Sequence, residues 1–216
     1  MTTPAVDPRP VAAIPDMMPR SRSRQWSRTP RTRARVLAAA EEVFRQKGYS
    51  EANISDIVER AGVSVGSVYH HFGGKAELYF ALWDEYVGRL ARAAADAVAR
   101  VRESGDDDPL AQFEAGMMAY LDAGWRDRRL YPIFYSGDAP PEFETLRRDR
   151  TQEWVRRNLI ILGLGQSVED RLTVGSLTSI VGEAARVSAG CGTAAQAKRV
   201  ARHAAVLIRR LYPGPE

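Results

Sequence analysis

The stretch that decides the fold runs from Asn53 to Lys75 and reads NISDIVERAGVSVGSVYHHFGGK. Its apolar spacing predicts two short helices, the first capped by Asn53 and the second by Ser64. Gly62 lies just past the first helix, where a left-handed residue ends a helix at little steric cost. Two short helices joined by so tight a turn are typical of a helix-turn-helix, whose second helix enters the DNA major groove. The stretch therefore predicts DNA binding.

A longer helix is predicted on each side of this stretch. Upstream lies the amphipathic segment RTRARVLAAAEEVFRQKGYSEA, whose helix Gly48 ends, and downstream Lys75 opens another long helix. In this order the helices, the Gly-Tyr pair, the Ala-Gly-Val-Ser turn, the GSVYHHF segment and the lysine resemble the DNA-binding domain of the tetracycline-repressor (TetR) family, from about Arg31 to Leu90. Where that family often has Thr before the second helix and Lys, Arg, Pro or Thr after its Ser cap, this chain has Asn53 and Val65.

Hydrophobic periodicity predicts an all-α protein, because no alternating strand pattern occurs in the chain. We expect residues 1–29 to be a disordered basic arm and residues 30–75 a three-helix helix-turn-helix domain. The resemblance implies that residues 76–216 form a helical effector-binding and dimerisation domain, with a connecting helix over 75–103. The helices are predicted at 30–47, 54–61, 65–71, 75–103, 109–125, 127–135, 139–162, 167–189 and 194–211.

Candidate DNA contacts cluster at the start of the second short helix. Gly66 has no side chain, so the helix N-terminus can approach a phosphate or a base edge closely. Ser67, Tyr69 and His70 are the candidates for base-edge contact, while hydroxyls, helix N-termini and one ammonium would hold phosphates. The full set of predicted contacts is Arg31, Arg33, Asn53, Ser55, Ser64, Val65, Gly66, Ser67, Tyr69, His70 and Lys75.

The positive charge of the chain is concentrated at its start. Residues 1–35 carry eight arginines and two aspartates, a charge of +6, so the rest carries −2 of the net +4. Such an arm suits phosphate contact or minor-groove insertion beside a helix-turn-helix. The alternative interpretation is a solubilising leader with no role in DNA affinity.

The middle of the chain concentrates bulky residues that suit a small-molecule pocket. The alternative is ordinary core packing, which is the commoner role of aromatic and Met residues at helical spacing. Glu183 has the same two interpretations, since it either pairs with Arg186 or faces a polar effector. By resemblance this domain would hold an effector, which we expect to be hydrophobic or aromatic. The predicted pocket residues are Phe113, Met117, Tyr120, Trp125, Tyr131, Phe134, Tyr135, Trp154 and Glu183.

The last two helices combine small residues with an apolar stripe. Small residues on a helix face let a partner backbone approach, and the stripe in the final helix follows a helical period. The family resemblance implies that both helices pair with their two-fold mates in a homodimer, whereas the alternative is internal packing alone. The predicted interface residues are Gly175, Ser179, Gly182, Val200, Ala204, Leu207, Ile208 and Leu211.

Several classes of protein are excluded by composition. No apolar run approaches the ~20 residues of a membrane span, and no secretory leader is recognisable. The single cysteine, Cys191, excludes a disulfide framework and a multi-cysteine zinc site. His70 and His71 are adjacent, so they point about 100° apart on a helix and do not chelate together. No catalytic constellation is present, so we expect a cytoplasmic protein without enzymatic activity, cofactor or metal.

The sequence thus predicts a ligand-responsive transcriptional regulator, most simply a repressor. It would bind double-stranded DNA at a palindromic operator as a homodimer and leave it when a small molecule binds. The alternative is an architectural or partner-binding DNA-binding protein that senses no ligand.

Overall fold

The computed structural model describes residues 30–212 and 214, so the predicted basic arm lies outside the described residues. The described chain is all α-helical, as predicted. Its helices are α1 (Pro30–Glu51), α2 (Ile54–Ala61), α3 (Val65–Phe72), α4 (Lys75–Glu103), α5 (Pro109–Arg126), α6 (Tyr131–Tyr135), α7 (Phe143–Ile161), α8 (Val168–Ala189) and α9 (Ala194–Leu211), with a short 3₁₀ turn at Arg128–Leu130. None of the described helices is long and apolar enough to cross a bilayer.

Local sequence explains where the helices begin and end. Ser64, Asp108, Ser167 and Thr193 each cap a helix through a side-chain oxygen that accepts from the backbone of the first turn. Gly48 has φ +74° and ψ 179°, so it breaks α1 where the sequence predicts its end, and a short helical segment then continues to Glu51. The prediction for α7 was four residues too long at its start, because prolines occupy positions 140 and 141 and the helix begins only at Phe143.

Two groups of buried side chains hold the helices together. The first joins α1, α2 and α3 to the beginning of α4, and it also contains Leu130, Ile133, Phe134 and Phe143 from the segment around α6. The second joins α5, α7, α8 and α9. Tyr79 of α4 lies at the centre of the first group, where its ring meets four other aromatic rings and its hydroxyl donates to the carbonyl of Ile133 at 2.7 Å.

Lys75 closes the junction between α1 and α4. Its ammonium donates to the carbonyls of Tyr49 at 2.8 Å, Ser50 at 3.3 Å and Ala52 at 2.9 Å, and it lies 4.4 Å from the centroid of the Tyr49 ring. These carbonyls follow the break in α1, where helical partners run out. A phosphate would have to displace at least one of these carbonyls, because all three N–H donors already bind protein oxygens, so the phosphate contact of Lys75 stays a prediction.

The loop between α6 and α7 is bound to the same junction. One carboxylate, Asp138, accepts from the backbone N–H of Ser50 at 3.1 Å and from its hydroxyl at 2.5 Å. The hydrogen bond from the Ser50 side chain holds the pKa of Asp138 below its usual value. The segment that contains α6 is thus attached to the end of α1 by polar contacts as well as by its aromatic residues.

We predict that Lys75→Ala lowers the free energy of unfolding by about 1–3 kcal/mol, since it leaves partly buried carbonyls without a donor. The matched control is Lys47→Ala, which removes a surface ion pair with Asp56 and should cost less than about 1 kcal/mol. Urea denaturation of both variants measures the difference. Equal losses would contradict the structural role, and a weaker salt dependence of DNA binding at unchanged stability would support the phosphate contact.

Candidate DNA interface and interior pocket

The second helix of the helix-turn-helix, α3, has one buried and one exposed face. Val68 and Phe72 are buried against the first group of core residues. Val65 and Tyr69 are 47% and 53% exposed, which is unusual for side chains of this size, and His70 is also exposed. With Gly66 between them, these positions form a continuous exposed strip at the beginning and middle of α3. The strip is free to enter a groove of DNA.

The polar candidates around the turn keep hydrogen-bonding capacity for a phosphate. The hydroxyl oxygen of Ser64 accepts from the N–H of Ser67 at 3.2 Å, so its own hydrogen remains available to an acceptor. Asn53 caps α2 with its backbone N–H directed at the Asp56 carboxylate, 3.1 Å away. Ser55 is exposed one residue into that helix. Polar side chains thus lie at the N-terminus of each of the two short helices, where they stay available to an acceptor or donor on DNA.

The two predicted arginine contacts differ in their surroundings. Arg31 is exposed. Arg33 donates to the Glu85 carboxylate at 2.6 Å, and its guanidinium lies 5.3 Å from the centroid of the Phe72 ring. Arg33 therefore ties α1 to α3 and α4, and a phosphate would have to compete with Glu85 for it. Arg35, which the sequence analysis did not select, donates to the carbonyl of Ala61 at 2.5 Å and supports the turn itself.

A large pocket of about 1140 Å³ lies between α4, α5, α6, α7 and α8. Seven of the nine predicted pocket residues line it, namely Phe113, Met117, Tyr120, Tyr131, Tyr135, Trp154 and Glu183. The volume exceeds the range of ~300–1,000 Å³ typical of ligand sites, so there is room for a drug-sized molecule. A collapsed aromatic core would leave no such space.

Two predicted pocket residues lie elsewhere. Trp125 packs against Arg128, whose guanidinium is 4.3 Å from its ring, and directs its indole N–H at the carbonyl of Cys191, 3.4 Å away. Phe134 belongs to the first buried group and stacks on Tyr86 with 5.4 Å between ring centroids. Both predictions are corrected for the same reason, since each side chain leaves its helix on a face turned away from the pocket.

The pocket wall also contains residues that the sequence analysis did not select, mostly on α7. Arg147, Thr151, Trp154, Asn158 and Ile161 recur at intervals of three and four along this helix and all line the pocket. Only Trp154 was selected, because the search looked for bulky apolar residues in a helix that is rich in arginine. The helical spacing of the polar residues was the signal that could have found the others.

Both carboxylates that line the pocket are paired with an arginine. The carboxylates of Glu144 and Glu183 each pair with an arginine one turn along the same helix, Arg147 and Arg186, at 2.6 and 2.5 Å. Glu183 therefore forms the local ion pair with Arg186 that was one of its two predicted roles, and it also lines the pocket. Burial raises the pKa of Tyr120 and of Tyr135, which keeps both phenols protonated and able to donate at neutral pH.

The predicted dimer residues fall into two groups. Ala204 and Ile208 are 3% and 0% exposed within the single chain, where they pack in the second buried group, so their predicted interface role is corrected. Val200 packs partly against the same group. By contrast, Leu207 and Leu211 are large apolar residues exposed on α9. The stripe on α9 is apolar as predicted, but its central positions face the chain's own core.

Small residues and further apolar ones occupy the open face of α8. Ser179 is exposed, and a Cβ added at Gly175 or Gly182 would meet no atom within 4 Å. Gly182 also lines the pocket, so it lies near both the pocket and the predicted dimer face of α8. The sequence analysis did not select the exposed residues Leu172, Val187 and Val206, whose exposure depends on how α8 and α9 pack together.

We predict that Tyr69→Ala weakens binding to a specific DNA site by about 1–3 kcal/mol, because an exposed aromatic side chain is removed from the centre of the strip on α3. Stability should be unchanged, since Tyr69 supports no core contact. Fluorescence anisotropy with labelled duplex DNA measures the affinity, and Tyr69→Phe separates the ring from the hydroxyl. Full affinity of the alanine variant would remove Tyr69 from the interface.

Comparison with known proteins agrees with this geometry. The family model for bacterial regulatory proteins of the tetR family matches residues 36–82, which contain α2 and α3. The HTH-type transcriptional activator FasR of Mycolicibacterium smegmatis is 28% identical over 166 residues, 68% of this chain and 74% of that protein. The HTH-type transcriptional regulator TtgR of Pseudomonas putida is 42% identical over 80 residues, which span 37% of this chain and 36% of TtgR.

The solved structure of a SmeT–triclosan complex has the same fold, with a TM-score of 0.66 and 21% identity over 84% of this chain and 91% of that one. The family model therefore matches the part of the chain that contains the helix-turn-helix, whereas the likeness of fold covers most of the chain. Residues 36–82 thus match the tetR family of bacterial regulatory proteins, and the chain is similar to HTH-type transcriptional regulators.

Proposed function

We propose that the chain is a ligand-responsive repressor that binds a palindromic operator as a homodimer and is released by a small molecule. The observation that carries this proposal is the pocket of about 1140 Å³, because one of its walls is the helix that begins at the DNA-binding unit. That helix, α4, starts at Lys75 beside the end of α1 and reaches the pocket at Ala94. At ~1.5 Å per residue these positions lie about 28 Å apart along one rigid element.

A second connection between pocket and DNA-binding unit runs through α6. Tyr131 and Tyr135 line the pocket, whereas Ile133 and Phe134 of the same short helix pack in the core formed with α1–α4. A ligand that displaces the two tyrosines would therefore move a helix whose other side contacts the DNA-binding unit. Such a ligand shifts the equilibrium only by its difference in affinity for the two conformations, typically ~1–3 kcal/mol.

The exposed apolar residues of α8 and α9 support the homodimer. Leu172, Leu207 and Leu211 are at least one third exposed in the single chain, and so are Val187 and Val206 on the same two helices. Apolar side chains at this density usually mark an interaction surface. Two helix-turn-helix units placed ~34–36 Å apart by a two-fold axis would read the two halves of a palindrome.

The size and lining of the pocket argue against the alternative of an architectural protein that senses no ligand. The structure of SmeT with triclosan concerns a protein of the same fold bound to a small molecule, which supports ligand binding in this chain. FasR is named an activator, so the same architecture serves both directions of regulation. We propose repression, in which the operator overlaps a promoter and ligand binding clears it.

Selection of bound sequences from a random DNA pool, at near-physiological salt, tests the proposed function. We expect one inverted repeat to be enriched by the full chain and lost with Tyr69→Ala. Placing that repeat over a reporter promoter should then lower transcription. Recovery of no motif, with binding that vanishes as salt rises, would favour the architectural alternative.

We predict that Leu207→Glu disrupts the homodimer, because a carboxylate would replace an apolar contact at a surface buried between protomers. The matched control is Leu146→Glu on α7, since Leu146 and Leu207 have the same exposed fraction of 36%. Sedimentation velocity should show a monomer for the first variant and a dimer for the control. A dimer of unchanged stability in Leu207→Glu would remove this face of α9 from the interface.

A further inference from the structure

We infer that the pocket takes an amphipathic carboxylate, with an apolar body against Trp154 and Tyr120 and its carboxylate on Arg157. The inference rests on the proposed ligand-binding role of the pocket and adds the chemical class of the ligand.

Positive charge exceeds negative charge around the pocket. Five arginines and two glutamates line it, and both glutamates are bound to arginines of their own helices. Arg102, Arg148 and Arg157 therefore lie at the pocket without a carboxylate partner among the described residues. A cationic ligand would meet only carboxylates that are already paired, whereas an anion meets unpaired guanidinium groups.

The three arginines differ in their partners and in their exposure to solvent. Arg102 donates to the amide oxygen of Gln112 at 2.7 Å, so its guanidinium is already held in place. Arg148 is exposed, where water and salt weaken an ion pair. Arg157 is partly buried, and none of the described residues binds its guanidinium. It is the lining cation with most to gain from an anionic partner, because burial strengthens charge-assisted hydrogen bonds.

The surroundings of Arg157 supply hydrogen bonds but no negative charge. Asn158, its neighbour on α7, is buried and donates to the hydroxyl of Thr178 at 3.0 Å. This neutral pair lines the pocket without compensating the guanidinium. A carboxylate matches the planar fork of arginine with two parallel hydrogen bonds, a geometry that a neutral amide or alcohol reproduces only in part.

An apolar wall beside Arg157 suits the apolar body of the ligand. Trp154 precedes Arg157 by three positions, so both side chains leave the same face of α7. The Trp154 ring meets Tyr120 of α5 edge to face, with 5.5 Å between centroids, and Phe113 and Met117 continue the apolar wall. A flat or flexible apolar group can lie on this wall while its charged end reaches Arg157. The pocket thus separates an apolar surface from one cationic point.

Calorimetric titration of the full chain in the absence of DNA tests this class with matched probes. The aliphatic set is decanoate, 1-decanol and decyltrimethylammonium, and the aromatic pair is 2-naphthoate and 2-naphthamide. We expect each carboxylate to bind about tenfold or more tightly than its neutral analogue, and the cation to bind most weakly. Equal affinity of charged and neutral probes, or no binding of either carboxylate, would overturn the inference.

Three variants locate the anion. Arg157→Gln should abolish the preference for the carboxylate while leaving the affinity of the neutral probe within about twofold, and Arg157→Lys should retain part of the preference. Arg156→Gln is the control, since Arg156 is exposed on the adjacent position of α7 and does not line the pocket. If Arg157→Gln keeps the full preference, the anion site is elsewhere and the inference is wrong.

These binding measurements are independent of the proposed response to ligand. A carboxylate that binds through Arg157 but fails to release the selected operator would contradict the release mechanism and leave the ligand class intact. Release of the operator by the neutral probes, with no preference for charge, would support the release mechanism and overturn the ligand class.

Discussion

The position of the DNA-binding unit depends on one ammonium group. Lys75 is the first residue of α4, and its three hydrogen bonds end on carbonyls between Tyr49 and Ala52, just past the break in α1. Charge-assisted bonds of this kind are worth more than neutral ones, and their loss leaves acceptors without partners. Because α4 continues from this point to the pocket, a displacement of the pocket wall in the proposed release would reach the DNA-binding unit beside this contact.

The helix-turn-helix does not have a core of its own. Phe134 and Phe143 come from the segment between α5 and α7, yet they pack on Tyr79 and Trp83 among the residues of the DNA-binding unit. Close-packed interiors have two discrete arrangements more readily than a continuous range of them. In the proposed function, a movement of α6 at the pocket would therefore alter its contacts with α1 and α4.

The sequence was sufficient to predict most of the helices, but not which residues of other helices each of them contacts. Caps and apolar periodicity predicted α2, α4 and α9 with the bounds observed, because these signals are local. Ile208 and Phe134 were assigned to the wrong surfaces since periodicity identifies an apolar face but not what covers it. The contacts of Lys75 with the carbonyls were missed for a related reason: a single cation after a turn has the same appearance whether it binds a phosphate or the carbonyls of another helix.

If the pocket takes the anion inferred above, Arg157 connects the chemistry of the pocket to the proposed release from DNA. A partly buried guanidinium without a counter-charge raises the free energy of the ligand-free form, and an anion that pairs with it removes that cost. The gain is realised only in the conformation of α7 that brings Arg157 and Trp154 to the ligand together. If that conformation also draws Tyr131 and Tyr135 toward α7, then α6 moves with them and the contacts at Ser50 change. Part of the free energy of ligand binding at Arg157 would thus change the positions of the recognition helices. Such a link is what coupling between the pocket and the DNA-binding unit requires.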